Sequence, residues 1–178
     1  AIGDCRPAAL LTPQGRILID MMVYRPSYQD IYLQTDQERA GDLLARLRRY
    51  RLRRSVTLEQ SKDLHLTFWW GYTGTVKPDD ANIFLDPRHT DLGCRIISSD
   101  ADLPSALGGA RPGSHENWQA RRIRQAIPEG PIDLVPERAL MLEAGLDKLA
   151  AVDFKKGCYI GQEVTAVSYT HLTLPTIE

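Results

Sequence analysis

The densest cluster of chemistry-capable residues is Lys155-Lys156-Gly157-Cys158-Tyr159-Ile160-Gly161-Gln162-Glu163. Two ammonium groups precede a thiol, and positive charge or turn N–H groups favour thiolate over thiol. Gly157 frees the backbone beside Cys158, and Gly161 permits a second bend or a close approach to a ligand. Gln162 and Glu163 add an amide and a carboxylate within a few residues. The segment therefore suits a reactive or transferring thiol. A small cysteine buried between two turn glycines is the alternative that the residues leave open.

A resident metal site is not expected. Cys5, Cys94 and Cys158 are far apart and form no CxxC, and His65, His89, His115 and His171 show no paired spacing with them. Tetrahedral zinc or a four-iron cluster wants about four ligands. The odd cysteine count also argues against a disulfide-stapled secreted domain.

The 178 residues are 43% hydrophobic and 25% charged with a net charge of −1. Such a balance creates no global field toward nucleic acid or membrane, so neither is expected as a partner. No apolar run reaches the length of a membrane span, and AIGDCRPAA lacks a signal-peptide layout.

Around the cluster, an α+β chain with a largely antiparallel sheet is expected. Ala8–Leu11, the turn Thr12-Pro13-Gln14-Gly15 and Ile17–Tyr24 read as a β-hairpin, interrupted by the carboxylate of Asp20. Ile31–Gln34, Val56–Glu59, Leu64–Trp70, Ala81–Leu85 and Cys94–Ser98 read as further strands. Thr35-Asp36 can cap a helix reaching about Tyr50, with Leu43, Leu44, Leu47 and Tyr50 on one face. A second helix is expected over Ser114–Ala126, ended by Pro128-Glu129-Gly130-Pro131. Pro104–Gly113 reads as a mobile loop. The tail 168–178 reads as non-native, leaving 1–167 as one domain.

KGCYIGQE is very similar to the signature of the YgfZ family, folate-binding proteins related to the aminomethyltransferase of the glycine cleavage system. Further landmarks follow in family order: Leu11-Thr12-Pro13-Gln14-Gly15-Arg16 with Asp20 after it, Tyr50-Arg51-Leu52-Arg53-Arg54, Asp86-Pro87-Arg88 with Leu92-Gly93, Ile127-Pro128-Glu129-Gly130, and Leu142-Glu143-Ala144-Gly145-Leu146-Asp147. The resemblance implies the aminomethyltransferase-type folate-binding fold. Because the family's N-terminal segment and C-terminal lobe have no counterpart here, a central domain cut at both ends is expected.

It also implies tetrahydrofolate, or a one-carbon derivative, as cofactor. The implied role is iron–sulfur cluster assembly or repair, linked in this family to tRNA modification. Folate and iron–sulfur proteins or their assembly machinery are the implied partners, in bacterial cytoplasm or, in a eukaryote, the mitochondrial matrix. Cys158 is then the key thiol with Lys156 beside it, and Gly157, Tyr159, Gly161, Gln162 and Glu163 complete the motif. Asp20 and Glu143 fall at the implied pterin pocket. Arg88 can offer its planar fork to a folate carboxylate or serve as a structural ion-pair partner. Transferase relatives often carry two adjacent acids where this chain has Ile19-Asp20, so an accessory role is expected over complete aminomethyl transfer, with a folate-independent binding scaffold as the remaining alternative.

The other candidates have plainer readings. Phe68, Trp69 and Trp70 can stack a pterin but suit a core. The run Arg46, Arg48, Arg49, Arg51, Arg53, Arg54 suits a solvated helix end; a polyglutamyl folate tail is its other reading.

Overall fold

A computed structural model describes residues 1–71, 82–99 and 110–165. Strands β1 (Asp4–Leu11), β2 (Ile17–Arg25) and β3 (Tyr32–Gln34) form one antiparallel sheet in that order. Helix α1 (Gln37–Arg51) follows. Strands β4 (His65–Trp69), β5 (Ile83–Leu85) and β6 (Cys94–Ser98) form a second antiparallel sheet ordered β4-β6-β5. Helix α2 (His115–Arg124) and the single turn α3 (Gly130–Asp133) complete the named elements.

The register of the first hairpin explains its two faces. Ala9 lies opposite Asp20 and Cys5 opposite Tyr24. Ile17, Ile19, Met22 and Tyr24 of β2 are buried. Cys5, Met22 and Tyr24 then pack against Phe84 and Ile97, so the first sheet meets the second through one shared core. Leu11 and Ile17 form another core with Leu134, Met141 and Leu146 from the C-terminal segment.

That segment is tied to β2 by backbone as well. Ile17 N donates to Ala139 O at 2.9 Å, and Glu137 N donates to Ile17 O at 2.8 Å. Tyr159 and Val152 lean on the same core, which carries the KGCYIGQE segment to the hairpin.

The helix caps follow the sequence. Asp36 accepts from Glu38 N at the start of α1, and Ser114 and Asn117 form a reciprocal capping box on α2. Other expectations need correction. Val56–Glu59 is not a strand: it is mostly exposed, and Arg48 and Arg51 take the carbonyls of Leu58 and Val56. Tyr50 is exposed, not on the packed face of α1 with Leu43. Helix α2 stops at Arg124, two residues short of the expected end, and Ala126 has φ of 53°. The tail 168–178 and most of Pro104–Gly113 lie outside the described residues.

Candidate functional site

A cleft of about 690 Å³ opens between the two sheets and α2, within the size range of small-molecule sites. Asp20, Met22, Phe68, Arg88, Trp118 and Glu129 are among the side chains that line it. Phe68 stacks on Trp118 with centroids 3.8 Å apart, giving the cleft an aromatic boundary. Trp118 Nε1 is buried and has no hydrogen-bond partner among the described residues. A buried indole N–H in that state is a donor awaiting an acceptor.

Asp20 enters the cleft from the middle of β2. Its Oδ2 accepts from Gly130 N at 3.0 Å, and its backbone carbonyl accepts from Thr35 Oγ1 at 2.8 Å. Burial pushes its pKa up from the ordinary carboxylate value; the Gly130 hydrogen bond opposes the shift and nearby Glu129 adds to it. The group is therefore poised closer to holding a proton than an exposed aspartate.

Arg88 reaches the same cleft, but its guanidinium is engaged. Nε and Nη2 donate to the two oxygens of Asp86 at 3.0 and 2.9 Å, and Nη1 donates to Glu129 at 2.6 Å. The geometry is that of an ion-pair partner holding two loops together. Glu143 stands apart: it is exposed and is not among the cleft residues. Its neighbours Met141 and Leu146 are the side chains turned into the core, which leaves Glu143 facing out.

The sequence reading missed the centre of this network, Arg95. Its residue exposure is 0%, at the second position of the fully buried β6 and followed by Ile96 and Ile97. Nε donates to Asp86 at 2.7 Å, Nη2 to Glu129 at 3.3 Å, and Nη1 to Gln34 at 2.6 Å and to Tyr24 Oη at 3.0 Å. The guanidinium also lies over Phe68 and Trp118, 4.9 and 5.6 Å from their centroids. Burial works to raise the carboxyls of Asp86 and Glu129, but the two arginines overcome it and hold both pKa values down. A charged residue inside Cys94-Arg95-Ile96-Ile97 was the available signal, of the same kind that drew attention to Asp20.

The signature segment forms a separate surface. Cys158 is exposed, whereas Cys5 and Cys94 are buried. Lys156 Nζ sits 4.6 Å from the centroid of the Tyr159 ring. The backbone N–H groups of Lys155 and Lys156 both donate to Asp153 Oδ1, which pins the turn ahead of the thiol. Gln162 Oε1 accepts from Tyr159 N at 3.0 Å, so this amide shapes its own loop. Gly157 and Glu163 are exposed.

Gly161 has φ of 82°, and a Cβ there would lie 2.5 Å from Thr12 O and 2.8 Å from Gly15 Cα. The hairpin turn and the signature thus meet through bare backbone. Cys158 is presented from this junction and is not among the cleft-lining residues. Among the described residues no group of three or more His, Cys, Asp or Glu could hold a metal ion. No helix among them is long and apolar enough to cross a membrane.

No protein-family model matches the chain. Curated proteins do. The chain is 35% identical to "Iron-sulfur cluster assembly factor IBA57, mitochondrial" of Mus musculus, over 89% of its own length and 48% of that protein. The human protein of the same name is 34% identical over the same shares, 89% and 48%. A homologue from Mycosarcoma maydis is 33% identical, over 89% of this chain and 41% of the relative. The chain spans less than half the length of these curated relatives, and its homologues are IBA57 iron–sulfur cluster assembly factors.

Proposed function

We propose that the chain is the folate-binding portion of an accessory protein for iron–sulfur cluster assembly or repair, with Cys158 as its working thiol. The observation that carries the assembly role is similarity across 89% of the chain to proteins named as iron–sulfur cluster assembly factors. In this reading the fold is of the aminomethyltransferase type. The relatives' names read "mitochondrial", which favours the eukaryotic of the two expected settings.

The cleft chemistry supports a reduced folate as ligand. A pterin edge presents adjacent ring nitrogen and exocyclic amine groups, which match a carboxyl such as Asp20. Phe68 and Trp118 offer apolar aromatic surface, and Trp118 Nε1 is a donor without a partner among the described residues. Tetrahydrofolate would supply one-carbon carrying capacity at the cleft. The chain's own residues bind and orient it: Asp20 at the polar edge, with Arg88 and Arg95 fixing the carboxylates around it.

Cys158 serves a different step. Its exposure leaves the thiol accessible to a protein partner or a cluster in transit, and Lys156 places positive charge in the same loop. Full aminomethyl transfer is disfavoured by the single acid at Ile19-Asp20. The test is complementation in cells lacking the parent protein, with the substitution placed in the full reading frame. Cys158→Ala is expected to abolish rescue of iron–sulfur enzyme activity, whereas full rescue would remove the thiol role. Calorimetric titration with tetrahydrofolate tests the cleft separately, with binding weakened in Asp20→Asn.

A further inference from the structure

The arginine run at the end of α1 lies outside both sites just described. Arg46, Arg48, Arg49, Arg51, Arg53 and Arg54 fall within nine residues of a chain whose net charge is −1, so the rest of the chain is net acidic. Part of the run is structural. Arg46 pairs with Asp42 at 2.9 Å, while Arg48 and Arg51 donate to Leu58 O and Val56 O, each at 3.1 Å. These last two bonds fold the following segment back over the helix end.

Arg49, Arg53 and Arg54 are exposed, and no ion pair engages them among the described residues. Cations in the last helical turn complement the dipole, but Arg53 and Arg54 lie beyond that turn. Apolar groups are interleaved with them: Tyr50 is 62% exposed and Leu52 is 83% exposed. Leu52 also has φ of 50°, a conformation that glycine adopts freely and leucine only at a steric cost. The chain thus holds a strained leucine in solvent, between arginines, with no burial in return.

Arginine and tyrosine are the residue types enriched at protein-interface centres, and here they are adjacent in sequence to an exposed leucine. A nucleic-acid surface would call for a basic domain and a wider positive stripe, and the sequence pI is about 6.5. We propose that Arg49, Tyr50, Leu52, Arg53 and Arg54 form a docking face for an acidic, leucine-containing segment of a partner protein. Carboxylates of the segment pair with the three guanidiniums, and its apolar side chain covers Leu52 and Tyr50.

Fluorescence anisotropy tests this on the whole chain with three labelled probes: a synthetic peptide of alternating glutamate and leucine, a polyglutamate peptide, and a single-stranded RNA oligonucleotide. The glutamate–leucine peptide is expected to bind most tightly and to weaken as salt is raised. Binding should fall by about tenfold or more in the triple variant R49E/R53E/R54E, as for hot-spot arginines, and by a smaller, measurable factor in Leu52→Gly. Leu52→Gly relieves the backbone strain, so it removes the contact without unfolding the chain, and circular dichroism checks both variants. Tighter binding of RNA, equal binding of polyglutamate, or an unchanged affinity in Leu52→Gly would each overturn the proposal.

Discussion

Gly15 and Gly161 meet backbone to backbone, with no room for a Cβ on either. A Cβ on Gly15 would lie 2.9 Å from Gly161 O, and a Cβ on Gly161 would lie 2.8 Å from Gly15 Cα. Both have positive φ, 73° and 82°. The tip of the first hairpin and the thiol-bearing loop, nearly 150 residues apart in sequence, are thus locked by two missing side chains. Gly161→Ala should destabilise the chain by at least about 1–2 kcal/mol from the left-handed backbone alone, with the clash added. Chemical denaturation measures the loss. The Cys158 loop should also loosen, seen as faster amide exchange at Tyr159 and Gln162.

Removal of Arg95 is expected to be severe. Its guanidinium neutralises Asp86 and Glu129 where there is little water to replace it. Arg95→Met should cost about 3–5 kcal/mol, the usual consequence of removing one partner from a buried ion network, because Arg88 alone then faces two carboxylates. A double change that also substitutes Asp86 by Asn should recover part of the loss, and thermal denaturation of the single and double variants measures that coupling.

The acidic groups predict opposing pH effects. Asp86 and Glu129 have folded pKa values held below their ordinary values of 3.8 and 4.5. Their contribution is present above those values and is lost as pH falls through the depressed folded ones. Asp20 has a raised folded pKa, so its contribution is present below 3.8 and is lost as pH rises through the raised value. Melting temperature should therefore drop steeply in strong acid. Asp20→Asn should flatten the decline on the higher-pH side and leave the acid limb in place.

The three thiols should differ sharply in native labelling. Cys158 is exposed, Cys5 is buried with its pKa pushed up to about 12 mainly by burial, and Cys94 is buried and also raised. Iodoacetamide at neutral pH should modify Cys158 first, with the other two reacting only after denaturation. Mass spectrometry of native and unfolded samples counts the adducts. Early modification of Cys5 would contradict its place in the core with Tyr24, Phe84 and Ile97.

Local patterns carried much of the fold. The Thr12–Gly15 turn, the Asp36 cap and the apolar strands Ile17–Tyr24 and Cys94–Ser98 are set by nearest neighbours in sequence, and each was legible. Val56–Glu59 was not, because its fate depends on Arg48 and Arg51 capturing its carbonyls. The site was legible in its pieces and not in its assembly. Asp20, Arg88 and Cys158 stood out by type and spacing, yet nothing local says that Asp86 and Glu129 converge on Arg95. Glu143 shows the converse: its motif is visible, but the turn that carries it gives Met141 and Leu146 the inward positions.

The hydrogen bonds of Arg95 reach Tyr24 on β2, Gln34 on β3, Asp86 after β5 and Glu129 ahead of α3. One planar cation therefore stitches both sheets and the α3 approach into a single cooperative unit around the cleft. Occupancy of such a cleft would be felt by the whole chain at once: a ligand seated there should raise the global melting transition and slow exchange in both sheets together, instead of quieting a single loop.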